Sequence, residues 1–512
     1  MKKLGLLFAW GLGGLAAWAV GAEAPKVVYK PLSVGALQEF GQIRKGIYAT
    51  GSPAPTTTQL TESDWIDHFG AFITKEAVIN ERLHLTGGLG GLFQFRKPEM
   101  PDPNGAVNSG FPGAQRKAFF VGPTDAQAIY HVGEIAKPWL KFGGGMFMYK
   151  YNPTAYNLGE FLFRSGAYPT YTQTGGYAIV NSAAANMQGL RSSLAFGGFK
   201  ADAFLTTETG LAPLYDWSLA TLASYTLGEG LFEVGAGVNF KRIIPVKPSR
   251  TAKHLDKNGY FELNGTGYST NRSYYSFQSS FYKDKLTNAT TAQDSATALA
   301  RISELDTALA VVGRALTPVT HEDSSIKIGY FSGAGTLLMG RFSIDPKKPF
   351  GEGLFGPEDL KLYGEAAILG VKNYPIFYKK VTERMPVMLG FNFPGFKLLD
   401  LIAIQGEYFN SPSLNNTAQV GNGGYNIPAF PLANDKIVSK IDYNDITKED
   451  NYKWSVLVRK NLGANITLSG QVANDHMRLT SSYFYYGPQF DHNEITTSKD
   501  HWYWMTQLSW GI

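Results

Sequence analysis

A chain of 512 residues without a single cysteine excludes a disulfide framework and any thiolate metal site. The formal charge of +5 falls to +3 once Lys2 and Lys3 are removed, too near neutral to argue for a nucleic-acid partner. Charged residues are only 17%, against ~25% in soluble domains, while aromatics reach 14% and glycines number 57, a balance that favours a β-rich chain.

Lys2 and Lys3 precede an uncharged apolar stretch over residues 4–20, and small residues follow in "AVGAEAPK". This is the pattern of a secretory signal peptide over residues 1–22, cut after Ala22 because a cut after Ala24 would place Pro25 at the cleavage site. An uncleaved anchor is the alternative, but the stretch is short for a membrane span and rich in Gly and Ala. Lacking cysteine, the chain has no lipid-anchored start. Beyond the leader no apolar run is long enough for a membrane helix. Residues 23–64 contain "GSPAPTTTQL" and read as an N-terminal lead-in or a segment tucked into a lumen, too small for an independent plug and without a coupling box.

From there, period-two alternation recurs. Leu83, Leu85, Leu89, Phe93 and Phe95 alternate with His84, Thr86, Gly88, Gly90 and Gln94. Phe232, Val234, Ala236, Val238 and Phe240 alternate with Glu233, Gly235, Gly237 and Asn239. The expected strands are 69–79, 83–95, 128–136, 141–150, 176–181, 193–205, 216–226, 231–243, 259–264, 274–282, 326–342, 360–370, 387–393, 399–409, 452–458, 466–473 and 502–512. A closed single-chain barrel needs an even number, so at least one is wrong, and 176–181 and 259–264 have the weakest pattern. Residues 291–316 break the alternation. Leu299, Ile302, Leu305, Leu309, Val312 and Leu316 recur at three and four, and Pro318 ends the run, which predicts one amphipathic helix that caps the mouth, enters the lumen or pads a loop.

Connector length separates a barrel from a sandwich. "PGFK" and "NLGAN" are tight, whereas residues 410–452 and 475–500 are long, and tight and long connections alternate. That is the mark of a transmembrane barrel with short turns at one end and long loops at the other. The expected fold is therefore all-β: a transmembrane antiparallel up-and-down barrel over residues 65–512, of about sixteen strands (14–18), with the helix in a long, extracellular connection.

The chain closes on "HWYWMTQLSWGI", where Trp502, Trp504, Leu508, Trp510 and Ile512 share one face with Thr506. This strand resembles the C-terminal recognition strand of Gram-negative outer-membrane β-barrels, although Ile512 stands where that group usually ends on Phe or Trp. The resemblance is to an architecture and brings no functional residues with it. It implies export to the bacterial outer membrane, recognition of the last strand by the barrel assembly machinery, and outer-membrane lipid around the outer face.

Charges are costly on a lipid face, so those in the strands must point to water inside. Extending the alternation places Glu233, Lys361, Glu365, Glu407, Lys453 and Arg459 in the lumen, with mixed signs that predict no strong selectivity. Glu160 and Arg164, four apart in "NLGEFLFRSGAYP", belong either to a surface turn or to a segment that folds inward and narrows the bore. The loop aromatics Tyr425, Phe430, Tyr483, Phe484, Tyr485 and Tyr486 either pack against one another or stack sugar rings. The eight histidines lack metal-ligand spacing, "DHNE" at 491–494 reads as a solvated loop, and nothing around His131 or Ser332 forms a catalytic arrangement. No cofactor, metal or catalytic residue is expected. The predicted function is porin-like: passive diffusion of small hydrophilic solutes. The alternatives are a structural or adhesive surface barrel with polysaccharide-binding loops, and a substrate-specific channel. The sequence leaves room for a homo-oligomer.

Overall fold

The computed structural model describes residues 26–50, 57–61, 64–96, 118–163, 185–207, 216–246, 276, 279–316, 335–349, 351, 353–371, 380–410, 451–463, 465–474, 478–480, 490–494 and 501–511. The leader over residues 1–22 and the expected strands 176–181 and 259–264 lie outside them.

Sixteen antiparallel strands form the wall: β1 (Ser33–Thr50), β2 (Asp64–Ile79), β3 (Leu83–Arg96), β4 (Ala118–Gly133), β5 (Pro138–Tyr149), β6 (Ala185–Phe196), β7 (Phe199–Thr207), β8 (Trp217–Leu227), β9 (Phe232–Ile244), β10 (Gly335–Ile344), β11 (Leu362–Ile368), β12 (Val387–Asn392), β13 (Leu401–Tyr408), β14 (Tyr452–Gly463), β15 (Ile466–Ala473) and β16 (Trp502–Gly511). Each pairs with the next, and β16 pairs with β1 from Gly35↔Gly511 to Lys45↔Trp502, so the sheet closes into a cylinder. Short strands add to it: Val27–Tyr29 continues the edge of β2, and Thr57–Thr61 folds onto the end of β1. Arg478–Thr480 and Phe490–Glu494 form a separate hairpin in the last long connection.

Four expectations need correction. Residues 33–50 are the first barrel strand, not a lead-in. The expected strand 193–205 is two strands, β6 and β7, folded at Gly197 and Gly198, where Gly197 has φ +57°. Residues 279–287 of the expected strand 274–282 and beyond are helical. The Lys285 ammonium lies 4.9 Å from the Phe281 ring and 5.6 Å from that of Tyr282, contacts at helical spacing. The expected strand 326–342 begins at Gly335 among the described residues.

The predicted helix is α1 (Ala292–Leu316). Thr291 and Asp294 cap its start: the Asp294 N–H donates to Thr291 Oγ1 at 3.1 Å, and the Thr291 hydroxyl donates to Asp294 Oδ2 at 2.6 Å. It folds back on helix 279–287, and Ser279 Oγ donates to Asp306 Oδ1 at 3.1 Å. No helix among the described residues is long and apolar enough to cross a membrane, which says nothing of strands.

The connections sort by end. Turns after β2, β4, β6, β8, β12 and β14 are tight, and both chain ends of the wall lie with them. Non-glycine residues take left-handed conformations in four of these turns, among them Asn80 and Asn465 (φ 49° and 60°). Connections from β1, β3, β5, β9, β13 and β15 are long and leave from the other end. The outer face is apolar: Ile73, Leu89, Phe142, Leu190, Leu389 and Leu468 are exposed. Trp502, Trp504, Leu508 and Trp510 share this outward face, while Tyr503 and Met505 are buried inside; Ile512 lies outside the described residues.

Glycine has a specific task in β5. A Cβ on Gly143 would stand 1.9 Å from the Ala128 carbonyl oxygen, whereas one on Gly87 in β3 meets nothing within 4 Å. Gly143→Ala should therefore push β4 and β5 apart, at a cost of about 1–3 kcal/mol, and Gly87→Ala should leave stability unchanged. Thermal unfolding of the refolded barrels in detergent, followed by the loss of β-sheet circular dichroism, compares the two.

Candidate functional site

The lumen is not an empty tube. Residues 151–163, which follow β5, turn inward and are buried almost throughout. The composition explains why: in "YNPTAYNLGEFLF", Tyr151, Ala155, Leu158, Phe161, Leu162 and Phe163 need an apolar partner surface. They find it in Phe147, Met187, Phe204, Leu222, Met339, Tyr363, Met388 and Leu401, which point inward from β5 through β13. This side of the lumen is a packed core.

Among the described residues, four strands hold the segment by polar contacts, β12 through Asn392 Nδ2, which donates to Tyr156 Oη at 3.3 Å. The Glu365 carboxylate on β11 accepts four hydrogen bonds: from Tyr151 Oη (2.5 Å), Asn152 Nδ2 (2.6 Å), and the N–H groups of Glu160 (3.1 Å) and Phe161 (2.8 Å). On β13, Gln405 Oε1 accepts from the Asn157 and Leu158 N–H groups, and its amide donates to the Thr154 carbonyl at 3.0 Å. On β9, Asn239 Nδ2 donates to the Leu162 carbonyl at 3.2 Å. A buried carboxylate with four donors is well satisfied, and loss of the acceptor would strand all four.

Glu160 sits beside this site and differs from it. Its Oε1 accepts the Asn152 N–H at 2.6 Å, but its buried Oε2 has no hydrogen-bond partner among the described residues. Burial pushes its carboxyl well above the ordinary 4.5, and the neighbouring Glu365 carboxylate pushes it further. The folded segment thus keeps a proton that the unfolded chain releases once the pH passes about 4.5.

A second connection enters from the short-turn end. Its described residues, 345–349, 351 and 353–361, between β10 and β11, are held by internal pairs: Lys347 Nζ donates to Asp345 Oδ1 at 2.7 Å, and Lys361 Nζ donates to Glu358 Oε1 at 2.8 Å. Asp359 accepts the N–H groups of Gly356, Gly395 and Phe396, which clamps this loop to the β12–β13 turn. The two inward elements meet where Tyr156 Oη donates to Glu358 Oε2 at 3.0 Å.

The opposite wall is open. Between the inward elements and β14, β15, β16 and β1 lies a cavity of about 690 Å³. Arg459, Thr467, Ser469, Gln471, Gln507, Ser509 and Glu39 line it from the wall, and Lys150, Tyr156, Lys348, Glu358 and Lys361 from the other side. Cross-strand register sets the wall in rows, one of which runs Arg459↔Ser469↔Gln507↔Glu39.

Of the charges expected inside, Glu233, Lys361 and Arg459 line this cavity, and Glu233 forms an ion pair with Arg341. Glu365, Glu407 and Lys453 are buried on the inner wall, with Glu407 and Lys453 directly opposite one another, and Glu160 is buried in the inward segment. Arg164 and the loop aromatics Tyr425, Phe430, Tyr483, Phe484, Tyr485 and Tyr486 lie outside the described residues. Sequence reasoning did not single out Tyr151, Asn152, Tyr156, Gln405 or the 345–361 loop. A usable signal existed for the first three: the 151–163 stretch is too apolar for a solvated loop.

No family model matches the chain, and no curated protein matches it. Among solved structures, engineered variants of the Rhodopseudomonas blastica porin align with 94% of this chain and 100% of their own, at 7% identity and TM-scores of 0.38 and 0.37. A likeness this slight supports no residue-level transfer. The closed sixteen-stranded barrel rests on the strand pairing of the chain itself.

Two outcomes follow from the anchoring of the segment. Glu365→Ala should release residues 151–163, lowering thermal stability by on the order of 3 kcal/mol and opening the segment to limited proteolysis. Glu160 makes the docking pH-dependent: its contribution is full below the ordinary carboxylate value and declines as the pH rises above it. Protease protection of the segment should fall with rising pH in the parent protein and lose that trend in Glu160→Gln.

Proposed function

We propose that the protein is an outer-membrane channel through which small hydrophilic solutes diffuse passively. The observation that carries this reading is a closed cylinder with an apolar exterior and a polar, partly open interior narrowed by an inward-folded segment. An exterior bearing Ile73, Leu89, Leu190, Leu389 and Leu468 suits lipid, and a closed sheet is the only form of β-structure that leaves no backbone group unsatisfied there. In this reading residues 1–22 are removed on export, the Trp502–Gly511 strand is recognised during assembly, and the short turns face the periplasm. Solutes pass along the β14–β16 and β1 wall, while the packed side sets the bore. Sieving is steric and electrostatic, and no covalent step is involved.

Single-channel recording of the mature, refolded chain in a planar bilayer is the test. Stable conductance steps, with solute flux that falls as solute size increases, are expected. Silence from a barrel whose fold is verified by circular dichroism would overturn the channel reading in favour of a surface barrel. Deletion of residues 481–490 should then abolish polysaccharide binding.

A further inference from the structure

The cavity lining looks charge-balanced, with Glu39, Glu233, Asp345 and Glu358 set against Lys150, Lys348, Lys361 and Arg459. Their engagement is unequal. Every one of the four acids already has a donor from the protein. Gln507 Nε2 donates to Glu39 Oε1 at 2.7 Å, Arg341 pairs with Glu233, Lys347 with Asp345, and Glu358 takes both Lys361 and Tyr156. Burial alone would raise the Glu358 carboxyl, but Lys361, Tyr156 and the more distant Arg459 together bring it below its ordinary value, so it remains an ionised, compensated group.

The bases divide differently. Lys150 is used on the Ala155 carbonyl at 2.6 Å, and Lys361 on Glu358. Among the described residues, Arg459 and Lys348 have neither a hydrogen-bond acceptor nor an ion-pair partner for their side chains. Arg459 stands half-buried at the end of a polar row, next to Ser469, with Thr467 on the same strand, β15. Its guanidinium offers planar, paired donors. Leu457 and Met505 lie one row away and supply an apolar step beside it.

We infer that Arg459 and Lys348 form a subsite for a carboxylate-bearing small solute, with the Ser469 hydroxyl completing its hydrogen bonds. The balanced formal charge hides this preference because each acid has a hydrogen-bonded donor, whereas these two bases have no direct acceptor among the described residues. Its place in transport rests on the channel reading, but the subsite itself is testable without any conductance.

Calorimetric titration of citrate into the full mature protein, refolded in a zwitterionic detergent, tests the site directly. Saturable binding in the millimolar range is expected, weakening about tenfold in Lys348→Gln, a change at an exposed turn position that leaves the fold intact. Arg459→Gln should remove saturable binding, and Arg459→Lys should restore part of it. The absence of saturable binding to the parent protein, or equal binding by parent, Lys348→Gln and Arg459→Gln, would overturn the inference. Reversal potentials in a potassium chloride gradient then separate the two readings. A conducting protein that binds no citrate keeps the channel and loses the subsite; a silent protein that binds citrate does the reverse.

Discussion

Closure of the backbone hydrogen-bond ladder is the constraint on which the rest of this structure depends. β1 carries it, pairing with β2 on one edge and with β16 on the other, so that residues more than four hundred positions apart complete the cylinder. Once the ladder is closed, each strand has one face inside and one outside, and a residue's parity decides its environment. The apolar exterior, the polar row Arg459↔Ser469↔Gln507↔Glu39 and the buried Tyr503 and Met505 all follow from that single register.

A cylinder of this size has more interior than its wall side chains fill. The protein solves this unequally. Along β5 to β13 the space is taken by residues 151–163, whose apolar side chains join the inward residues of the wall. Glu365 contributes to this, because the Glu160 and Phe161 N–H groups would otherwise be buried without acceptors. Along β14 to β16 and β1 the wall remains lined with amides, hydroxyls and charges, and there the cavity persists. The division between a packed side and a wet side is what gives this lumen a shape.

Much of the wall was legible because the alternation is strong wherever one face meets apolar surroundings, as in β3, β9, β14 and β15. β1 was missed for the opposite reason. In "SVGALQEFGQIRKG" Gln38 and Gln42 share the face of Phe40, and Leu37 and Ile43 share that of Glu39, so the contrast between faces is weak. The turn at Gly197 and Gly198 between β6 and β7 is concealed in the sequence by the alternation on both sides of it. Around 279–287, the four-residue spacing of Phe281 and Lys285 carried a helical signal that the two-residue reading overrode.

The sequence alone determined an antiparallel wall with apolar and polar faces, tight turns alternating with long connections, one helix near residues 292–316, and the side of the wall on which Glu233, Glu365, Glu407, Lys453 and Arg459 lie. These are local properties, set by parity and spacing along the chain. Tertiary structure decided which donors those carboxylates meet, that residues 151–163 leave the surface for the lumen, and that Tyr156 meets Glu358 across it. Such contacts join residues about two hundred positions apart, and no local periodicity records them, because their energy comes from burial and pairing that exist only after the barrel has closed.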